Sequence, residues 1–474
     1  MIPPISEKIA AMRSIYHSIV ILLLAGSFFP ACGVGTGKEN ATMQDTIVDP
    51  MDWVKNANIY EVNIRQYTPE GTFKAFGAHL PRLREMGVDV LWLMPIFPIS
   101  KENRKGSLGS YYAVGDYNKV NPEYGTPEDF KALVRQAHDL GMKVILDWVA
   151  NHSGWDNPWV KEHPEWYTKN EKGEITDPIG QDGKSWGWTD VADLDFNNLE
   201  MRQAQIDALK FWVRDMGVDG FRCDVAFEVP DEFWIDARTQ LDSIRPVFML
   251  AEAEHAPHRN NGSFQMSYGW SFHKLMNAIA EGKEDATAIA EWLKQDREKF
   301  SKGFHMHFIT NHDENSWNGT EFERMGDGVE TFAVLAHTFD GMPLMYSGQE
   351  VSLNKRLRFF DKDTIDWSGA SMKDFYATLL QLKHENTALW NGAEGGEPKI
   401  ISNTNEKAVF SYMREKGENR VVVVLNLTGE SQEVSLNGSD YVGDYTNLFA
   451  NRSITLSEDM VFQLNPWDYF VLVR

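Results

Sequence analysis

Past residue 50 the chain alternates between short apolar runs and longer stretches whose apolar positions recur every three or four residues. "NIYEVNI" (58–64) reads as a strand. "FKAFGAHLPRLREMG" (73–87) places Phe73, Phe76, Leu80 and Leu83 on one face and predicts a helix, and "VDVLWLMPI" (88–96) predicts the next strand. The helix over "GTPEDFKALVRQAHDLG" has Thr126 as N-cap, Pro127 in its first turn and Gly141 as C-cap, and runs directly into "MKVILDWVA". Further strands are expected at "VDGFRCDV", "PVFMLAE", "HMHFITN" and "MPLMYSGQ". Strand and helix alternating over roughly 300 residues predict a parallel α/β sheet closed into an eight-fold (β/α)8 TIM barrel over 51–396. An open doubly wound sheet is the alternative, but no G-x-G-x-x-G follows the first strand.

From 397 to 474 the pattern becomes strand-like pairs about turns, as in "KAVFSYMREKGENRVVVVLNL" and "SITLSEDMVFQLNPWDYFVLVR", and predicts a C-terminal all-β sandwich domain covering one flank of the barrel. Between the third and fourth barrel strands the stretch from about 153 to 192 is irregular and polar but holds five of the 16 tryptophans: Trp155, Trp159, Trp166, Trp186 and Trp188. They follow no period. They are expected to divide between a small core for an inserted subdomain and flat faces for sugar rings.

The N-terminus has a different pattern. After Met12, a second candidate start, come Arg13, the apolar run "IVILLLAGSFF" and small residues before Cys32, the layout of a secretory signal over 1–31. "FFPAC" resembles a bacterial lipobox, with Phe29 and Pro30 departing from the usual Leu and small residue, so Cys32 is a candidate lipidation site. An exported lipoprotein held by its lipid anchor, with 32–50 as a tether, is the expectation; an ordinary cleaved signal is the alternative. Cys223, the other cysteine, falls in a strand, so no disulfide is expected. A formal net charge of -23 excludes nucleic acid as a partner, and 42% hydrophobic residues suffice for a large core.

Polar residues gather where barrel strands end, the place where such barrels do chemistry. Asp147, Asn151 and His152 close one strand, Arg222 and Asp224 a second, Glu252 a third, and His312 with Asp313 a fourth. A single such residue is as readily a helix cap, but four strand ends together are not. Carboxylates converging with an arginine suit glycosidic chemistry: one to attack or stabilise an oxocarbenium centre, one to protonate the leaving oxygen, one to orient.

"DWVANH", "GFRCDV", "LAE" and "FITNHD", in that order and spread, resemble the motifs of glycoside hydrolase family 13, the α-amylase family, across almost the whole mature chain. The resemblance implies a retaining enzyme acting on α-1,4-glucosidic bonds of α-glucans or maltooligosaccharides. Asp224 would be the nucleophile, Glu252 the general acid/base, and Asp313 the residue that grips sugar hydroxyls. Arg222 would stabilise Asp224, His152 and His312 would bind hydroxyls, and Tyr112 in "GSYYAVGDY" would be the platform under the ring. "VADLD" resembles a further family motif, implying that Asn151 and Asp193 bind a structural Ca2+; no organic cofactor is implied.

Glu254 shares the strand parity of Glu252 and is the alternative acid. After Asp224 many α-amylases reach Lys-His, where this chain has Phe227 and Glu228; the Glu228-Val229 ending is similar to cyclomaltodextrinases and neopullulanases. That branch, or a glucan transglycosylase, is the alternative function. A non-catalytic sugar-binding ectodomain is a second alternative, against which stand all three carboxylates. His305 and His307 in "FHMHF" share one side of a strand, as zinc ligands would, but core histidines are the preferred reading.

Overall fold

The computed structural model describes residues 51–180 and 183–474. The expected signal, Cys32 and the tether lie outside the described residues. Eight strands form a closed parallel barrel: β1 (Ile59–Val62), β2 (Val90–Leu93), β3 (Lys143–Trp148), β4 (Gly220–Cys223), β5 (Phe248–Ala251), β6 (Met266–Tyr268), β7 (Phe304–His307) and β8 (Met342–Tyr346). Each pairs with its neighbours in sequence, and β1 closes the ring on β8 through Ile59–Leu344 and Glu61–Tyr346. Seven of the eight are legible as apolar runs. β6, only three residues long, is not.

Alternation along the strands divides the core. Ile59, Val90, Trp92, Ile145, Leu250, Met266, Tyr268 and Leu344 belong to one cluster that fills the barrel, while Tyr60, Leu91, Val144 and Phe221 pack outward under the helices. Gly220 opens β4 because a Cβ there would lie 1.9 Å from the carbonyl oxygen of Phe248.

Two helix boundaries differ from the sequence expectation. Residues 73–87 form two short helices, Phe73–Gly77 and Leu80–Met86, because Pro81 cannot donate a backbone N–H and takes a first-turn position in a new helix. The helix Pro127–Asp139 has Thr126 as its N-cap, as expected, and adds a capping box: Thr126 accepts from Asp129 N while Asp129 accepts from Thr126 N. Its C-cap, however, is Leu140, and Gly141 stands one residue beyond with φ +79°, where the left-handed backbone favours glycine.

The Trp-rich stretch leaves β3 through a strand His152–Gly154 and returns through Val191–Asp193, paired antiparallel with His152 opposite Asp193. Beyond the barrel a six-stranded sheet (399–473) and a two-stranded sheet (432–464) share a core of Val422, Val424, Val434, Phe462 and Leu472. Arg414 fastens this domain to the barrel: fully buried, it donates to the carbonyls of Phe339 (2.6 Å), Trp390 (2.8 Å) and Gly396 (2.7 Å). Among the described residues no helix is long and apolar enough to cross a membrane.

Candidate active site

The C-terminal ends of the strands converge on Arg222. It projects from β4 and is wholly buried, a position that requires paired charge. Its Nη1 donates to Asp147 Oδ1 at 2.8 Å and to Asp224 Oδ1 at 2.7 Å, and its Nε to the Tyr268 hydroxyl at 3.2 Å. Its Nη2 lies 2.9 Å from Glu252 Oε2 but off hydrogen-bond geometry. Trp92, Tyr112 and Tyr268 face the guanidinium within 6 Å. One cation thus links carboxylates from the ends of three strands, β3, β4 and β5.

Glu252 follows β5 and lines the cleft. Its Oε2 also accepts the backbone N–H of Val225 at 2.9 Å. The Val225 N–H and the Arg222 cation both face this one oxygen, so Oε1 is left to carry a proton. Burial raises its pKa to about 8; Arg222 opposes the rise, and Asp224 and Asp313 add to it. The N–H that reaches Glu252 is aimed by a strained residue: Val225 has φ +46°, a left-handed backbone that a β-branched side chain rarely adopts. Burial also raises Asp147, with Arg222 again opposing.

On the opposite wall a proton-rich chain runs through His312. Its Nδ1 lies 2.5 Å from Glu61 Oε1, and its Nε2 lies 2.7 Å from the Tyr112 hydroxyl and 3.3 Å from Asp313 Oδ2. The Tyr112 hydroxyl donates its one proton to Asp147 Oδ2 at 3.1 Å, so Nε2 of His312 must be the donor toward Tyr112. With Nδ1 facing a carboxylate as well, the ring carries both protons. Burial lowers the pKa of His312, but Asp313 and Glu61 outweigh it and bring it up to about 9. Tyr112 stacks on His312 at 5.6 Å and on Phe359 at 6.2 Å.

His152 is buried, with its ring edge toward Trp188, and burial lowers its pKa. Asp224, Glu252, Asp313, Tyr112, His152 and Trp188 all line a cleft of 280 Å³. The aromatic residues of the insert divide. Trp159 packs on Tyr117 (4.9 Å) and Trp166 (5.2 Å) as a local core, and Trp155 donates to the Thr189 carbonyl. Trp186, Trp188 and Phe227 instead form a half-exposed group beside the cleft, Trp186 lying 4.7 Å from Trp188 and 6.4 Å from Phe227. Trp317, Phe359 and Phe360 line the cleft as well.

Glu254 is drawn away from Arg222: its carboxylate accepts from Ser271 N (2.9 Å) and Oγ (2.7 Å), outside the cleft. His305 meets Asp296 at 2.7 Å and Arg259 at 2.9 Å, while His307 packs on Phe272, so neither reaches the cleft. Asn151 and Asp193 lie on adjoining segments, the carbonyl of Asn151 accepting from Leu194 N at 3.1 Å. Burial, then the fields of Asp195, Asp177 and Glu228, raise Asp193 to about 7. Cys223 is a free, buried thiol.

Sequence reasoning missed Glu61, Trp92 and Tyr268. Glu61 has a signal: it shares strand parity with Ile59, which fills the barrel. Tyr268 had none, because its strand was not recognised.

Residues 40–396 match the family model described as alpha amylase, catalytic domain, and residues 399–471 match that of the maltogenic amylase C-terminal domain. Alpha-amylase MalA of Haloarcula japonica is 28% identical over 87% of this chain, which spans 62% of that protein's length. A solved alpha-amylase from Lactobacillus plantarum is 30% identical with a TM-score of 0.78, covering 89% of this chain and 99% of its own. A noncanonic maltogenic alpha-amylase, AmyB from Thermotoga neapolitana, is 29% identical with a TM-score of 0.77, covering 89% of this chain and 97% of its own. With the strand-end carboxylates drawn together on Arg222 inside a closed barrel, and both parts of the chain matched, the protein belongs to the α-amylase family of glycoside hydrolases.

Proposed function

We propose that this chain hydrolyses α-1,4-glucosidic bonds of soluble glucans and maltooligosaccharides with retention of configuration. The observation that carries the reading is the asymmetry between two carboxylates on one guanidinium. Asp224 takes a full hydrogen bond from Arg222 and faces the cleft, whereas Glu252 holds a raised pKa and a free Oε1. Asp224 attacks the anomeric carbon as Glu252 protonates the leaving oxygen. A covalent glycosyl-enzyme forms, and water activated by Glu252 then releases the sugar. Asp313, His152 and the doubly protonated His312 bind hydroxyls of the same ring, and Tyr112 supports its face.

Arg222 holds both carboxylates within 2.9 Å of one guanidinium, and a retaining site requires its two carboxyl groups to stand only about 5 to 5.5 Å apart. The α-anomer should appear first by NMR in the opening minutes of hydrolysis; an initial β-anomer would overturn the mechanism. Asp224→Asn should keep the fold and lose several orders of magnitude in kcat.

The exposed Phe227, beside Trp186 at the cleft rim, favours a second reading on substrate, closer to cyclomaltodextrinases and neopullulanases. Comparing kcat/KM on maltose, maltoheptaose, pullulan and β-cyclodextrin decides between them.

A structural Ca2+ fits the donor set of Asn151 and Asp193: hard oxygens on adjoining segments, one of them a buried carboxylate in the field of three others. When bound, the ion would supply cross-linking of the Trp-rich insert to the barrel. Export and anchoring through lipidated Cys32 rest on the N-terminal sequence pattern, which leaves the cleft outside the cytoplasm with its glucan substrate.

A further inference from the structure

The loops that follow the two central carboxylates meet again away from the cleft. Asp231 opens the helix Asp231–Asp242 after the turn that follows Asp224, and His255 and His258 lie on the segment that follows Glu252, in and just before the short helix Ala256–Asn260. Their ligand atoms converge. His255 Nε2 lies 3.1 Å from Asp231 Oδ1, and His258 Nε2 lies 3.1 Å from the same oxygen. The two imidazoles stand 4.7 Å apart, edge to face. Among the described residues this is the one group of three or more His, Cys, Asp or Glu side chains whose ligand atoms all fall within 4.8 Å of one another.

His258 supplies a second, independent observation. Its side chain is completely buried, yet neither ring nitrogen has a hydrogen-bond partner, and the contact with Asp231 is off hydrogen-bond geometry. A buried imidazole with two orphaned nitrogens is unfavourable unless something binds one of them. Aromatic packing on Phe264 at 4.9 Å holds the ring in place without satisfying it.

We propose that Asp231, His255 and His258 bind one divalent transition-metal ion of the zinc class, tying the loop after Asp224 to the loop after Glu252. Two imidazoles and one carboxylate are a zinc-type donor set, softer than the all-oxygen set that calcium takes. Tetrahedral zinc with ligand bonds of about 2.0 to 2.1 Å sets ligand atoms about 3.3 Å apart, close to the 3.1 Å separations here. Asp231 and His255 are partly exposed, which gives the ion an entry path and leaves a position for water. The site is distinct from the cleft and lies three residues beyond Glu252, so the ion acts on the stiffness of the acid-bearing loop and not on the reacting atoms.

The test uses untagged, chelator-stripped protein in saturating Ca2+, titrated with Zn2+ alone by calorimetry, with Tm measured with and without Zn2+. One equivalent should bind at micromolar or better affinity and raise Tm. His255→Gln and Asp231→Asn should each weaken binding at least about tenfold and abolish the Zn2+-dependent rise in Tm. Because the readout is the increment caused by Zn2+, a variant that is less stable without metal remains informative. Co2+ in place of Zn2+ should give the visible absorption of a tetrahedral site. The proposal is overturned if no single-equivalent binding occurs, or if both variants bind Zn2+ as the unaltered protein does; neither result bears on glucan hydrolysis.

Discussion

Replacing Glu61 by Gln tests the reading of His312 as a buried imidazolium. The amide keeps an oxygen for Nδ1–H to bond but removes the negative charge at 2.5 Å. The pKa of His312 stands near 9 against an ordinary 6.5, although burial by itself would lower it; Asp313 contributes the largest opposing part, and Glu61 adds its charge and its hydrogen bond. A gap from 6.5 to about 9 is worth about 3 kcal/mol at 1.36 kcal/mol per pKa unit, and the share of Glu61 is about 1 to 2 kcal/mol. The folded-state pKa is raised, so this stabilisation is fully present below pH 6.5 and is lost as pH rises through about 9. Above that pH the unaltered protein keeps a buried carboxylate facing a neutral ring, a cost that Gln does not carry. Burial raises the pKa of Glu61 itself, with His312 and then Arg222 opposing, and Gln is relieved of that cost at both pH values, so the quantity read is the difference: Glu61→Gln should be less favourable at pH 6 than at pH 10 by about 1 to 2 kcal/mol. Urea unfolding of both proteins at the two pH values measures the difference, and groups that titrate alike in both cancel. NMR of the His312 imidazole should show its midpoint falling in the variant. Equal destabilisation at pH 6 and pH 10 would refute the ionic pairing and leave Glu61 as a packing residue.

Three other expectations follow from the site. Glu252→Gln should abolish turnover of unactivated glucans yet keep first-step activity on glucosides with good leaving groups, and unaltered kcat/KM should fall as pH rises through about 8, where Glu252 loses its proton; equal loss on both substrate types would remove it as the acid. Chelation followed by exhaustive dialysis should lower Tm by several degrees, and Asp193→Asn should make Tm insensitive to added Ca2+; an unchanged Tm after dialysis would refute the calcium site. Cys32→Ala should move the protein from the membrane fraction to the soluble fraction, since acyl chains would supply the attachment; retention in the membrane would assign anchoring to the apolar segment.

Sequence alone determined what depends on local periodicity and on motif order. Seven strands declared themselves as apolar runs between turns, the helix start at Thr126 was marked by an N-cap followed by Pro127, and the strand-end positions of Asp147, Arg222, Asp224 and Glu252 followed from where those runs stop. β6 escaped because three residues are too few to show a period, and with it went Tyr268, whose hydroxyl holds Arg222. Strand parity did not separate Glu252 from Glu254; the LAE motif pointed to Glu252, and the physical reason is the turn that gives Arg222 to Glu252 and Ser271 to Glu254. Glu61 and His312 lie 251 residues apart, and Asp231 and His258 come from different helices. Barrel closure places such groups within bonding distance, and their protonation depends on burial and on neighbours distant along the chain.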